Sequence, residues 1–320
     1  MSIFLFILIN NILPIFILII LGFMLSRKFN FDIFTLSKLN FYFFVPSFVF
    51  VNLYTTVLDW SLFKIIFYCG AYLIFNDLTA RFIGKMRGYQ AGKTNALKNA
   101  LSYANMGNIG LSLIILVFST GSNVVNGETP YLITAQTALI IAMVFNNITT
   151  NTLGFYNAGR ASMTLGDSVR KIFSMPSIYA IPLAFILKEL PLDLTTTFVW
   201  TPLNYMKGSL VATSLITLGI QLSKTKVEFK DAEVYLTSIL RLVIGPIVGY
   251  FMISAFGFTG TTAQTLFIIS ALPPAVNTAL IAVEQENFED FATQVVVAST
   301  VISALTLTFA IFWSQILFPI

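Results

Sequence analysis

The 320-residue sequence contains no histidine and one cysteine, Cys69. The first absence removes His-ligated metals, Ser–His and Cys–His dyads and any histidine proton relay. The second removes a disulfide framework and a Cys-based metal site. Charge is scarce too: Lys, Arg, Asp and Glu make up 10% of the chain, against about 25% in soluble domains. No basic stretch is interleaved with exposed aromatics, so the pI near 9.1 reflects basic connections and not affinity for nucleic acid. No G-x-x-x-x-G-K-[ST] loop is present to cradle a nucleotide, and no cofactor motif is found. With Asp77 the only acid placed well inside an apolar run, the paired-aspartate arrangement of an intramembrane enzyme is missing as well.

What is abundant is apolar surface. Hydrophobic residues form 57% of the chain, and the mean hydropathy is +0.84. Apolar runs near twenty residues recur, which predicts an all-α polytopic membrane protein. Ten spans are read, over residues 3–25, 33–54, 60–81, 95–118, 131–153, 173–189, 200–222, 235–256, 263–285 and 292–316; the seventh is the weakest by hydropathy. The first run is too long for a signal-peptide core and lacks an A-x-A-like site. Arg27 and Lys28 close it instead.

Basic residues concentrate in the odd connections. Arg27, Lys28 and Lys38 flank the first; Arg81, Lys85, Arg87, Lys93 and Lys98 the third; Arg160, Arg170 and Lys171 the fifth; Lys224, Lys226, Lys230 and Arg241 the seventh. The even connections carry only Lys64 and Lys188. By the positive-inside rule the odd connections are cytoplasmic and both termini lie outside, in the cell membrane. The acidic ninth connection (Glu284, Glu286, Glu289, Asp290) counts little in that rule.

Two spans are broken where a membrane helix should be continuous. In residues 268–286, Pro273 and Pro274 lack amide hydrogens, and each costs a helix interior about 3 kcal/mol. In residues 100–118, Asn105, Gly107, Asn108 and Gly110 weaken the helix together. Prolines and G-x-x-G patterns also serve plain close packing. Their pairing at the fourth span of each half points instead to a binding site at the bilayer midplane. The halves echo each other weakly elsewhere, Leu13-Pro14 with Met175-Pro176, and Lys38-Leu39-Asn40-Phe41-Tyr42 with Pro202-Leu203-Asn204-Tyr205-Met206. Five spans per half is an odd number, so the second half starts from the opposite side and the repeat is inverted. The expected organisation is residues 1–153 as the first repeat, 154–172 as a basic cytoplasmic linker, and 173–320 as the second repeat.

Leu272-Pro273-Pro274-Ala275 with Asn277, the Asn105-x-Gly-Asn-x-Gly110 pattern, Gly219 with Leu222, and Arg241 with Pro246 together resemble the auxin efflux carrier family. The likeness is greatest to its bacterial branch of malate and malonate permeases. The resemblance implies ten helices in two inverted five-helix repeats, with helices 4 and 9 broken and crossing. It also implies a secondary transporter that binds small organic anions at the crossover, moves in an elevator-like way and is often a homodimer. One departure is Ser112, where the family commonly has proline, which predicts a softer break in the fourth helix.

The chemistry expected at the crossover is recognition of a carboxylate without a full positive charge. Half-helix N-termini offer free amides and a positive dipole end. Asn105, Asn108 and Asn277 add side-chain amides and Ser112 a hydroxyl. The substrate-binding set is therefore Asn105, Gly107, Asn108, Gly110, Ser112, Pro273, Pro274 and Asn277, although Asn277 also suits a helix cap. Asp77 and Arg81, four apart on one helix face, form either a local ion pair or a coupling pair that handles a proton; the resemblance favours coupling, with Gln136 as a candidate neighbour. Lys207 and Arg241 are expected to anchor at the interfaces by snorkelling, the alternatives being that Lys207 guides an anion and that Arg241 lines the inner vestibule. Proton gradient and membrane potential both remain open as driving forces. Sodium coupling is the alternative, and a channel or sensor the more distant one.

Overall fold

The structure is a computed structural model and describes residues 3–56, 63–159, 170, 173–191, 193–224 and 231–320. Its described residues form helices and no strand. In chain order these are α1 (Ile3–Lys28), α2 (Ile33–Thr55), α3 (Lys64–Met86), α4 (Ala91–Ser102), α5 (Met106–Phe118), α6 (Leu132–Gly159), α7 (Pro176–Lys188), α8 (Trp200–Ser223), α9 (Ala232–Ala255), α10 (Gly260–Ser270), α11 (Val276–Glu284) and α12 (Glu289–Leu317). Each predicted span coincides with helix, the fourth as α4 with α5 and the ninth as α10 with α11. Among the described residues five helices, α1, α2, α6, α9 and α12, are long and apolar enough to cross a membrane. The two broken spans fall short because no half has more than the 12 residues of α4 in regular α-helix, and α8 is rich in Thr, Ser, Asn and Gln. α6 continues past the expected end at Leu153 to Gly159. Residues 160–169, 171 and 172 of the expected linker lie outside the described residues.

Proline shapes these helices in two ways. Pro14, Pro46 and Pro246 each sit two residues after a π-turn, at Leu8–Ile12, Asn40–Phe44 and Leu240–Ile244. A proline removes one amide and pushes against the carbonyl four residues back. The extra residue in a π-turn skips that bond, so the helix runs on. The adjacent prolines 273 and 274 cannot be absorbed that way, and the chain leaves the helix.

The helices form two groups. α1, α2, α7 and α8 pack together, and α3–α6 pack with α9–α12. The first group is held by a close backbone approach. A Cβ on Gly219 would lie 2.0 Å from the Ile19 carbonyl oxygen, and one on Gly22 would lie 2.2 Å from that of Ile216. Only glycine permits α1 and α8 to meet there. On α3, Phe67, Ile74, Leu78, Phe82 and Met86 are exposed along one face, an apolar strip suited to lipid. At one end the two groups are joined. Asn11 of α1 donates to the Thr120 hydroxyl beyond α5 (2.9 Å), and the hydroxyls of Thr56 after α2 and Thr137 of α6 lie 3.0 Å apart. At the other end they part around a cavity.

Candidate functional site

The two breaks meet. α4 ends at Ser102, and Tyr103, Ala104 and Asn105 run extended or irregular before α5. α10 ends at Ser270, and Pro273, Pro274 and Ala275 leave the helix before α11. Ala104 and Pro274 pair as an antiparallel bridge. The Asn105 amide donates to the Pro273 carbonyl and the Ala275 amide to the Tyr103 carbonyl, both at 2.9 Å. Each break thus supplies partners for the other's backbone, which buried irregular chain requires.

Side chains complete the pairing. Asn146 of α6 accepts from the Ala104 amide (3.1 Å) and donates to the Ala104 carbonyl (3.3 Å). Tyr72 of α3 donates to the Ser270 carbonyl at 3.4 Å. Arg241 of α9 is 2% exposed; its Nε donates to the Leu272 carbonyl (2.8 Å) and one of its terminal nitrogens to the Leu101 carbonyl (2.6 Å). The expectation of an interfacial anchor is therefore corrected: Arg241 points inward, because the last carbonyls before both breaks need a donor there. The softer fourth-helix break expected from Ser112 is also corrected. The break is complete and lies upstream at Tyr103, Ala104 and Asn105. Ser112 sits inside α5, fully buried, with its hydroxyl on the Asn108 carbonyl (2.8 Å).

In front of the crossing lies a cavity of about 440 Å³. Met106, Gly107 and Asn108 reach it from the N-terminus of α5, and Val276 and Asn277 from that of α11. α6 contributes Asn146, Asn147 and Thr150, while α2 and α8 close the far wall with Asn40, Thr217 and Gln221 among others. Among the described residues no Lys, Arg, Asp or Glu lines it. Asn105 caps α5 by accepting from the Asn108 amide at 3.3 Å, while its side-chain NH₂ is buried without a partner. α11 has no side-chain cap, and its first residues, Val276 and Asn277, lie on the cavity wall. The lining runs along α2 from Ile33 to Val45, a depth of about 18 Å at 1.5 Å per residue. It therefore opens toward the α1–α2 connection, opposite the joined end. At that end Asp32 caps α2 through the amides of Phe34 and Thr35. The Thr35 hydroxyl, then the Phe34 amide, holds its carboxyl below the usual value.

Of the expected binding residues, Asn105, Gly107, Asn108 and Asn277 are brought together on the cavity wall. Pro273 and Pro274 form the bridge behind them, and Gly110 gives room to the Leu272 side chain, whose Cδ1 would lie 2.7 Å from an added Cβ. Sequence reasoning missed Asn146, Asn147, Thr150 and Asn40. The signal was present in the polar run Asn146-Asn147-Ile148-Thr149-Thr150-Asn151 inside an apolar span.

Asp77 and Arg81 lie apart from this cavity. They pair at 2.5 Å, and the other Asp77 oxygen takes Lys98 of α4 at 3.0 Å. Lys98 is 7% exposed, so the carboxylate clamps α3 to α4 just below the break. Gln136 is buried near the other end of α6, ten residues or about 15 Å along the helix from Asn146 and next to the Thr137–Thr56 contact. Lys207 reaches Asn52 of α2 (3.1 Å) instead of extending outward.

Comparison with known proteins agrees with this architecture. Residues 160–311 match the family model described as "Membrane transport protein". The chain is similar to an uncharacterized transporter of Methanothermobacter thermautotrophicus, 24% identical over 315 residues that cover 96% of this chain and 98% of that one. These likenesses point to a multi-pass membrane transporter and not to an enzyme.

Proposed function

We propose that the protein is a secondary carrier of small organic anions, of malate or malonate type, that works by alternating access. The observation that carries this reading is the paired breaks, which direct the N-termini of α5 and α11, with Asn105, Asn108 and Asn277, to one uncharged cavity. Two positive dipole ends and a set of amide donors suit a carboxylate. Without a lysine or arginine on the wall they would not hold it too tightly for release.

In this reading the chain is two inverted five-helix repeats, with both termini outside in the plasma membrane. α1, α2, α7 and α8 form the fixed scaffold, and the other group carries the site. The cavity between them and the joined opposite end correspond to an inward-open state, and sliding of one group on the other in an elevator-like motion would expose the site outward. A proton gradient or the membrane potential drives transport, with Asp77, Arg81 and Gln136 as coupling residues and Lys98 added to them. A second copy is the expected partner in a homodimer.

The test is counterflow in proteoliposomes loaded with unlabelled L-malate. Transient accumulation of labelled malate is expected, and its loss in the Asn277→Ala/Pro273→Ala double variant places the site at the crossover. Equal accumulation in both would remove the site from the crossover. No accumulation of malate, malonate or lactate by folded protein, with leak or binding alone, would favour a channel or sensor.

A further inference from the structure

Among the described residues the most deeply buried charge is Arg241. A fully buried guanidinium is costly unless paired. Among the described residues no Asp or Glu forms an ion pair with it. Its partners are instead the carbonyls of Leu101 and Leu272, one from the end of α4 and one from just beyond α10. These are the C-terminal, negative ends of the two half-helices whose N-terminal counterparts start on the cavity side. Two helix C-termini converging on irregular backbone make a cation site, of the kind at which transporters coordinate sodium. Behind the crossing, Arg241 also lines a void of about 30 Å³ with Tyr68, Tyr72 and Asn146. Its backbone origin is the π-turn before Pro246, which rotates this position relative to a regular helix.

We propose that Arg241 is a tethered cation that fills the place a monovalent metal ion would otherwise take between the ends of α4 and α10, and that transport therefore needs no sodium. The tether locks the two breaks in register, and its permanent charge replaces the one a coupling ion would bring. Arg241 is a positioning residue, since it touches the crossover from behind and not the cavity. The sodium clause rests on the carrier reading; the tether does not.

The full chain in detergent gives a readout independent of any substrate. The melting temperature of the wild type is expected to be the same in sodium chloride as in choline chloride; a rise of about 3 °C or more specific to sodium would overturn the proposal. Arg241→Ala should melt several degrees lower and recover at least half of the loss with guanidinium chloride at about 10 mM. Urea, of the same shape but neutral, should leave it unchanged, and equal rescue by both would show packing alone. If Arg241→Ala gives no monodisperse protein, Arg241→Lys should be recovered in better yield than Arg241→Gln, and the reverse order refutes a charge role. Malate counterflow should persist with choline in place of sodium. Its loss on sodium removal would sink the sodium clause, whereas absence of counterflow in both salts would count against the carrier reading and leave the thermal result intact.

Discussion

Asn146 shows how one side chain can hold a broken backbone. Its amide answers both polar groups of Ala104, and while the Ala104 carbonyl also accepts from the Met106 amide, the Ala104 amide donates to the Asn146 side-chain oxygen. Asn146→Leu keeps the volume and leaves that amide unpaired at a cost of about 1–3 kcal/mol, which should lower the melting temperature by several degrees; an unchanged melting curve would mean the bridge to Pro274 suffices. Asp77 is a different case, since it sits between Arg81 and Lys98 and not in the cavity. If it couples protons, Asp77→Asn flattens the pH dependence of net uptake while exchange survives. A parallel loss of both at every pH would assign it to clamping α3 on α4. Asp77 with Arg81 was legible as an i, i+4 pair. Lys98 was not, because its partner lies twenty-one residues away and only the packing of α4 on α3 joins them.

At the scale of elements, the contrast is between helices that absorb a proline and helices that do not. α1, α2 and α9 take theirs through a π-turn, and two of those turns carry Asn40 and Arg241, side chains now found at the cavity wall and behind the crossing. The Pro273-Pro274 break could be read from the chain because two lost amides exceed what one turn can bypass. The fourth-helix break could be read only in part. Gly107 and Gly110 drew attention downstream, yet these residues lie in a π-turn, and the backbone opens at Tyr103 and Ala104, which have no intrinsic reason to leave a helix. They do so because the Pro273 carbonyl and the Ala275 amide, in the break between α10 and α11, offer hydrogen bonds there. The α1–α8 contact yields a sharp prediction: Gly219→Ala drives a methyl onto the Ile19 carbonyl oxygen and should destabilise by about 2–3 kcal/mol or more, read as a lower melting temperature or failure to insert. Gly208→Ala on the same helix meets nothing within 4 Å and should be silent.

For the whole molecule, the question is whether the two helix groups move. Thr56 and Thr137 bridge them with hydroxyls 3.0 Å apart, so cysteine sulfurs at the same two positions would face each other across the seam. After Cys69→Ala, the pair Thr56→Cys with Thr137→Cys should arrest counterflow when oxidised and release it on reduction. Full activity in the oxidised state would rule out sliding at this seam.

The sequence by itself determined the class of the molecule. Scarce charge and recurring apolar runs demand a membrane, and paired interruptions demand protein around them, because hydrocarbon cannot solvate a free amide or carbonyl. The tertiary structure alone decided which groups answer those interruptions. That the two breaks pair with each other, that Arg241 turns inward to their carbonyls, and that asparagines from α2, α5, α6 and α11 share one uncharged cavity all depend on contacts between residues far apart in the chain. Local pattern specifies which backbone groups will lack partners, and only packing specifies the partners.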